Sequence, residues 1–226
     1  MPRVARIVVP GVPHHITQRG NNLQDVFFID ADRRVYLALL KQQSYKFGLD
    51  VTAYCLMTNH IHLVATPQTK DALAKAVGRT HLIYTQYINQ MHGRSGHLWQ
   101  NRFHSCPLGH GHLVNTLRYV ERNPVRAKLV RYAWQYEWSS AAAHTGGNDP
   151  SGLLDVRAWR RRHQDADWRE TLKRPEDSDV VAALRLASSR GRPLGGDLFL
   201  SKLEKALGRR LRPLPVGRPR KKKTEK

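Results

Sequence analysis

The sequence contains little cysteine, and it has no long apolar run. Its 226 residues include two cysteines, Cys55 and Cys106, and neither belongs to a C-x-x-C pair. This disfavours a structural zinc site, which needs closely spaced cysteine or histidine ligands. No apolar run approaches the roughly 18 residues that span a bilayer, and the N-terminal stretch has no apolar signal segment. We therefore expect a cytoplasmic protein with reduced thiols and no membrane partner.

Acidic residues are also scarce, at 18 against 38 lysines and arginines, which gives a formal net charge of +20. A cationic surplus of this size is typical of proteins that bind phosphate polymers, with nucleic acid as the simplest partner. The alternative is a protein without such a partner, from a host whose proteins are rich in arginine.

Apolar periodicity and turn residues predict the order β-α-β-β-α-β-α. The predicted strands cover residues 14–20, 51–56, 60–66 and 98–107, and the predicted helices cover 30–47, 71–91 and 110–121. Asp30 or Asp32 is expected to be the N-cap of the first helix, Gly48 its C-cap, and Asp71 the cap of the second. The order is typical of an α+β, ferredoxin-like antiparallel sheet with helices on one face.

Composition divides the chain into three parts. Residues 1–143 are predicted to form the main domain, and 144–208 a linker with a small helical extension. Residues 209–226 are rich in lysine, arginine and proline and are expected to be a disordered, DNA-binding tail.

Two short segments carry the chemistry. His60 and His62 are two residues apart on a predicted strand, so their side chains share a face. Tyr119 and Asn123 are four residues apart on, or just past, a predicted helix, so they are neighbours there. Tyr119 lies about 120° from the apolar stripe of its helix, which argues against a core position.

Two neutral imidazoles and an amide oxygen can hold a divalent cation, either Mn²⁺ or, less comfortably, Mg²⁺. A phenol beside that cation can attack a phosphodiester. Each feature is weak alone, because the chain has 12 histidines and most tyrosines simply pack. Their conjunction in a basic chain favours the functional interpretation.

Several segments occur together in the order of a known family. They are Pro10-Gly11 with His15-Ile16-Thr17-x-Arg19-Gly20-Asn21, His60-Ile61-His62, Leu98-Trp99-Gln100-x-Arg102-Phe103, Tyr119-x-x-x-Asn123-Pro124-Val125-Arg126-Ala127 and Gly217-Arg218-Pro219-Arg220-Lys221. The chain resembles the single-tyrosine HUH transposases and, more narrowly, the REP-associated tyrosine transposases, strongly over about residues 1–140. His14 departs from the pattern, since an aromatic residue is usual there.

The resemblance implies that Tyr119 is a nucleophile forming a 5′-phosphotyrosine and that His60, His62 and Asn123 bind the metal. It also implies cleavage and rejoining of single-stranded DNA beside hairpins of repetitive extragenic palindromes. A monomer with the tyrosine acting in its own chain is expected, with a dimer as the alternative. Location at the nucleoid follows from such a substrate.

Basic and polar residues near these motifs are the predicted nucleic-acid contacts. They are His15, Arg19, Asn21, Arg102, Arg122 and Arg126, together with Arg218, Arg220, Lys221 and Lys222 in the tail. Trp99 and Phe103 either stack on bases or belong to the core. The tail is either a minor-groove arm or a solvated segment.

Two other functions remain open from the sequence. The chain could be a domesticated hairpin-binding protein with marginal chemistry. It could also be a metal-dependent phosphodiesterase that uses water, with Tyr119 as an ordinary packed residue.

Overall fold

The computed structural model describes residues 5–163 and 167–212, and its central element is a four-stranded antiparallel sheet. The strands are β1 (His14–Arg19), β2 (Leu49–Met57), β3 (His60–Pro67) and β4 (His104–Pro107), in the order β2-β3-β1-β4. This order, with a helix after β1 and another after β3, is the ferredoxin-like arrangement, and it confirms the predicted α+β class.

Two of the described helices lie between strands in the sequence, and the others follow β4. The described helices are α1 (Asp30–Phe47), α2 (Ala72–Met91), α3 (His110–Glu121), α4 (Asn123–Arg126), α5 (Ala141–His144), α6 (Val156–Arg162), α7 (Trp168–Lys173), α8 (Ser178–Arg190) and α9 (Asp197–Leu207). The predictions of α1, α2 and α3 are confirmed. None of these helices combines the length and apolar character that crossing a membrane requires.

Local chemistry explains where α1 begins and ends. The prediction of Asp30 or Asp32 as N-cap is wrong, because Ile29 occupies that position. Asp32 lies within the first turn, where its carboxylate accepts hydrogen bonds from the backbone N–H groups of Phe28 and Ile29, at 2.8 and 3.0 Å. Gly48 ends the helix at φ 66°, a left-handed conformation that costs glycine little. Asp71 occupies the N-cap position of α2 as predicted, but its side chain makes no capping hydrogen bond and forms an ion pair with Lys75 at 3.2 Å.

The predicted strand over residues 98–107 is wrong in its first half, because only His104–Pro107 forms a strand. Asn101 adopts a left-handed conformation with φ 56°, which a continuous strand does not allow. The Gln18 side chain instead donates to the carbonyls of Gln100 and Asn101, at 3.3 and 3.1 Å. Two isolated backbone bonds, from Gln100 N–H to the Arg19 carbonyl and from Asn21 N–H to the Leu98 carbonyl, both at 2.9 Å, also hold the loop, but no continuous strand ladder forms.

Strand register decides which side chains meet on each face of the sheet. β1 pairs with β3 so that Thr17 lies opposite His62 and Arg19 opposite His60. Ile61 and Leu63 point towards α1 and α2 and belong to the larger core. The alternation of a strand then turns His60 and His62 to the opposite face.

That opposite face is also covered by helices, whereas the sequence placed helices on one face only. Leu117 and Val120 of α3 pack with strand residues and with Trp168, Leu172 and Leu184 of the C-terminal extension in one buried cluster. A sheet that is apolar on both faces needs a layer on each side.

A buried carboxylate connects α3 to the residues beyond position 143. Oε1 of Glu121 accepts from Ser140 Oγ and from His144 Nδ1, both at 2.5 Å. Its Oε2 accepts from Trp168 Nε1 at 2.7 Å. Residues 144–150, predicted as a linker, therefore include a buried histidine that holds the main domain to its extension.

Candidate active site

The fold brings His60, His62 and Tyr119 together within one chain. The rings of His60 and His62 have their centroids 5.2 Å apart, and those of His62 and Tyr119 5.5 Å apart, nearly perpendicular in both cases. Tyr119 is only 7% exposed, because α8 covers the helix face that the sequence left open. The ring is buried as a wall of the site.

The orientation of His60 follows from its neighbour Asn59. The Asn59 amide nitrogen donates to the Leu23 carbonyl at 3.1 Å, which leaves Asn59 Oδ1 as an acceptor. His60 Nδ1 lies 2.7 Å from that oxygen and so carries the proton. The lone pair of His60 is therefore on Nε2, where a ligand can use it.

His62 is oriented by a buried relay that reaches α8. Its Nδ1 lies 3.0 Å from Nε2 of His15, and His15 Nδ1 lies 2.7 Å from Ser188 Oγ. If His62 uses Nε2 as a ligand, its Nδ1–H donates to His15, and His15 Nδ1–H donates to Ser188. Such second-layer bonds fix the tautomer and orientation of metal-binding histidines.

These histidines are held neutral by their surroundings. Burial, together with the positive charges of Arg19 and Arg126, lowers the pKa of His60 to about 4. Burial also lowers the pKa of His15 to about 3 and that of His62 well below its usual value. Neutral imidazoles are the form that binds metal.

Asn123, which does not line the cleft itself, is the nearest candidate to add an amide oxygen to the two imidazoles. Its side chain is buried, interacts with His60, and has an amide nitrogen with no hydrogen-bond partner among the described residues. Residues 5–163 and 167–212 contain no group of three His, Cys, Asp or Glu side chains that could hold a metal. Two imidazoles with an amide oxygen would form a mixed nitrogen and oxygen donor set, which Mn²⁺ accepts and Mg²⁺ accepts less readily.

Two arginines flank the Tyr119 phenol. Arg185 Nε of α8 lies 3.4 Å from the phenol oxygen, a long hydrogen bond. The Arg126 guanidinium stacks over the ring, 4.0 Å from its centroid, and donates to the Tyr119 carbonyl at 2.9 Å. Sequence reasoning missed Arg185, because no local pattern links it to a tyrosine 66 positions earlier.

The site opens into a cleft of about 500 Å³ whose lining includes both histidines, Tyr119, Arg19 and Arg185. Positive charge and neutral imidazoles line this space. A phosphodiester that enters the cleft would meet the phenol and a guanidinium at the same point.

The predicted nucleic-acid contacts fall into two groups. Arg19 and Arg102 are exposed and Asn21 is half-buried, so they can meet a ligand. By contrast, Arg122 donates to the Leu172 carbonyl, and Arg126 binds the Glu176 carboxylate at 2.8 and 2.9 Å.

Both of these arginines therefore hold the C-terminal extension in place and do not present an open phosphate-binding surface. His15 is 1% exposed and supports His62 from behind. The tail residues Arg218, Arg220, Lys221 and Lys222 lie outside the described residues.

Trp99 and Phe103 follow the core alternative. Both are buried, at 8% and 7% exposure, and both belong to the cluster under α1 and α2. Trp99 stacks on His81 with ring centroids 4.5 Å apart, and the Arg6 guanidinium covers Phe103 at 3.5 Å. These rings are occupied by protein groups and do not offer a free stacking surface.

Comparison with known proteins places this geometry in a family. Among solved structures, one of a REP-associated tyrosine transposase bound to a REP hairpin matches with a TM-score of 0.53 and 15% identity, covering 69% of this chain and 90% of that one. A chain from Deinococcus radiodurans R1 described as a candidate transposase matches with a TM-score of 0.37 and 19% identity, over 54% of this chain and 97% of that one, which is too low a score to support a shared fold. None of the curated proteins matches this chain. The model of the IS200-like transposases matches residues 9–123, just over half of the sequence and the part that holds both histidines, Tyr119 and Asn123, and the chain belongs to that family.

Proposed function

We propose that the protein is a metal-dependent endonuclease and strand transferase of single-stranded DNA, with Tyr119 as its nucleophile. The observation that carries the proposal is the meeting of three features in one cleft. These are two neutral histidines with oriented Nε2 atoms, a phenol within ring contact of one of them, and a guanidinium at the phenol oxygen.

The chemistry is a displacement at phosphorus. The Tyr119 oxygen attacks the scissile phosphate, an oxygen–phosphorus bond forms, and the bond from phosphorus to the 3′ oxygen breaks. The phenol proton passes to water in the cleft, and the departing 3′ oxygen takes a proton from solvent. The products are a 5′-phosphotyrosine and a free 3′-hydroxyl, and the reverse reaction with another 3′-hydroxyl joins a new strand without an external energy source.

The chain's own residues support this displacement. Arg185 lies where it can neutralise charge on the phosphate as it meets the phenol oxygen, and Arg126 fixes the ring. His60, His62 and Asn123 would hold Mn²⁺ or Mg²⁺. When bound, that cation would withdraw charge from the phosphate.

The substrate that we propose is DNA with a hairpin and single-stranded flanks. The protein would act on such repeats of the chromosome in the cytoplasm. The solved relative bound to a REP hairpin supports a hairpin substrate. A monomer is favoured because Tyr119 reaches the histidines of its own chain.

The experiment incubates the full chain with labelled hairpin DNA carrying single-stranded flanks, with Mn²⁺ or Mg²⁺, and separates the products on denaturing gels. Wild type is expected to give cleaved DNA and a protein–DNA adduct, and Tyr119→Phe neither. Tyr136→Phe is a matched control, since that phenol donates to the Leu56 carbonyl, away from the site. Cleavage that survives Tyr119→Phe without an adduct would indicate a water-using phosphodiesterase, and tight binding without cleavage would indicate a hairpin-binding protein.

A further inference from the structure

A second groove, of about 800 Å³, opens beside the catalytic cleft and is lined by arginines. They come from four separate segments: the N-terminal stretch, the loop before β4, the end of α8, and the residues after α9. Arg6, Arg102, Arg190, Arg192 and Arg209 are among its lining residues. No aspartate or glutamate lines the groove in the part of the chain that the structure describes.

The positive charges of these five arginines are not paired with a carboxylate within the described structure. Arg6 donates to the Phe103 carbonyl at 2.9 Å, Arg192 to the Leu211 carbonyl at 3.2 Å, and Arg209 to the Ala5 carbonyl at 3.4 Å. These carbonyl groups position the arginine side chains, but being uncharged they do not neutralise the positive charge of the guanidinium groups.

The ion pairs formed among residues 5–163 and 167–212 include none of the five arginines. Burial and repulsion from Arg102 lower the pKa of Arg6 to about 10, so it remains charged at pH 7. Cationic groups collected in this way favour an anionic ligand.

The groove is continuous with the site of chemistry. Asn101, His104 and Ser189 line both the arginine groove and the cleft that contains Tyr119. A chain of phosphates with one member at Tyr119 could therefore continue into the groove. Asn21 and His97 also line it and offer polar groups that could reach the edges of unstacked bases.

We propose that the arginine groove binds the backbone of the single-stranded flank on one side of the cleavage point. This inference rests on the proposed function for its substrate, but it concerns binding and not chemistry. Single strand is favoured over hairpin stem because the groove leads directly from the cleft, where the strand must be unpaired to be cut. Arg190, Arg192 and Arg209 lie outside residues 9–123, so the C-terminal extension supplies part of the DNA surface.

The test measures affinity as a function of salt by fluorescence anisotropy, in a Tyr119→Phe background so that the DNA stays intact. Three hairpins are compared, carrying no flank, a 5′ flank or a 3′ flank. Arg102→Ala/Arg190→Ala is the groove variant, because both side chains are exposed and neither forms a hydrogen bond to another of the residues that the structure describes. Arg157→Ala/Arg161→Ala is the matched control, since these exposed arginines of α6 line neither space.

Each phosphate contact on a single strand contributes about 0.7 to the slope of log affinity against log salt. The groove variant is therefore expected to lower the slope by about 1.4 and the affinity roughly tenfold at about 0.15 M salt, for one flanked hairpin only. The control variant should keep the parental slope. Arg102→Lys/Arg190→Lys should restore most of the lost slope, because the charge is retained.

An unchanged slope for both flanked hairpins would overturn the proposal. An equal loss for the hairpin without a flank would also overturn it, because the groove would then hold the stem. These outcomes are independent of the adduct assay, so failure of the groove and failure of the tyrosine chemistry are told apart.

Discussion

Replacing Glu121 with glutamine should lower the free energy of unfolding by much more than a typical substitution of a surface residue does. The carboxylate is fully buried, with Trp168 Nε1 on one oxygen and Ser140 Oγ and His144 Nδ1 on the other. All three neighbours donate to Glu121. Glutamine keeps the shape but has one acceptor oxygen and one NH₂ donor, so it cannot accept from both sides. Either the Trp168 indole N–H loses its acceptor, or Ser140 and His144 must change from donors to acceptors to receive the NH₂ group.

The magnitude follows from those bonds. If the amide NH₂ faces Trp168, the indole N–H loses its acceptor, and an indole cannot accept in return. A buried donor left unsatisfied costs about 1–3 kcal/mol, and a hydrogen bond to a charged group contributes about 1.5–3 kcal/mol. We expect a loss of about 3 kcal/mol in the free energy of unfolding. For a chain of this length, that corresponds to a fall of about 6–12 °C in Tm.

The assay is thermal unfolding followed by near-UV circular dichroism, which reports on tryptophans such as Trp159 and Trp168. Glu170→Gln is the matched control, because Glu170 makes an exposed ion pair with Lys173 at 2.6 Å. Exposed pairs contribute about 0–1 kcal/mol, so this control should unfold within a few degrees of wild type. If Glu121→Gln unfolds together with the control, the buried carboxylate does not join α3 to the extension as described.

Three further predictions concern the helix that covers the site and one buried histidine. Arg185→Ala should lower the single-turnover rate of DNA cleavage by roughly a hundredfold, with Arg185→Lys in between, because the guanidinium lies at the Tyr119 oxygen; equal rates for the three proteins would contradict this. Ser188→Ala should weaken Mn²⁺ binding roughly tenfold by calorimetry without DNA, through loss of the relay to His62; unchanged affinity would count against the relay. Burial lowers the pKa of His81 to about 3, below its value of about 6.5 in the unfolded chain. The stability that neutral His81 gives to the fold is therefore fully present above pH 6.5 and is lost as the pH falls towards 3. In urea unfolding, the free energy of unfolding of His81→Gln should fall with decreasing pH by about 1.4 kcal/mol less per pH unit than that of wild type across that range. Parallel curves of unfolding free energy against pH would refute the assignment.

Local sequence patterns predict much of the fold. The helix α1 begins beside the acidic residues that the sequence marks and ends at Gly48, because capping depends on a few adjacent residues. The shared face of His60 and His62 also follows from the period of a strand. Periodicity alone does not bring these histidines to Tyr119, which helix phase placed outside the core and which α8 buries to 7% exposure.

The remaining features depend on contacts between distant segments. Arg185 and Ser188 reach the site only because α8 packs over α3 and β1, and nothing near them in sequence indicates this. The same packing turns Arg126 from a predicted phosphate contact into a partner of Glu176. The loop before β4 failed as a strand because one left-handed residue, Asn101, outweighs the alternation around it.

The division at residue 143 and the metal ligands stay predictions. His144 and Trp168 both donate hydrogen bonds to the Glu121 carboxylate of α3. Unfolding measurements on chains truncated near residue 143 would test whether the two parts fold separately. His62 lies in ring contact with His60, and Asn123 interacts with His60; metal titration tests whether the three residues bind a cation.

The most direct test of the central claim is to identify the amino acid that becomes joined to DNA. The full chain is incubated with flanked hairpin DNA and Mn²⁺, digested with nuclease and protease, and analysed by mass spectrometry. We predict that the peptide containing Tyr119 gains the mass of a 5′-linked nucleotide. DNA cleavage with an unmodified Tyr119 peptide, or with the nucleotide on another residue, would contradict the account.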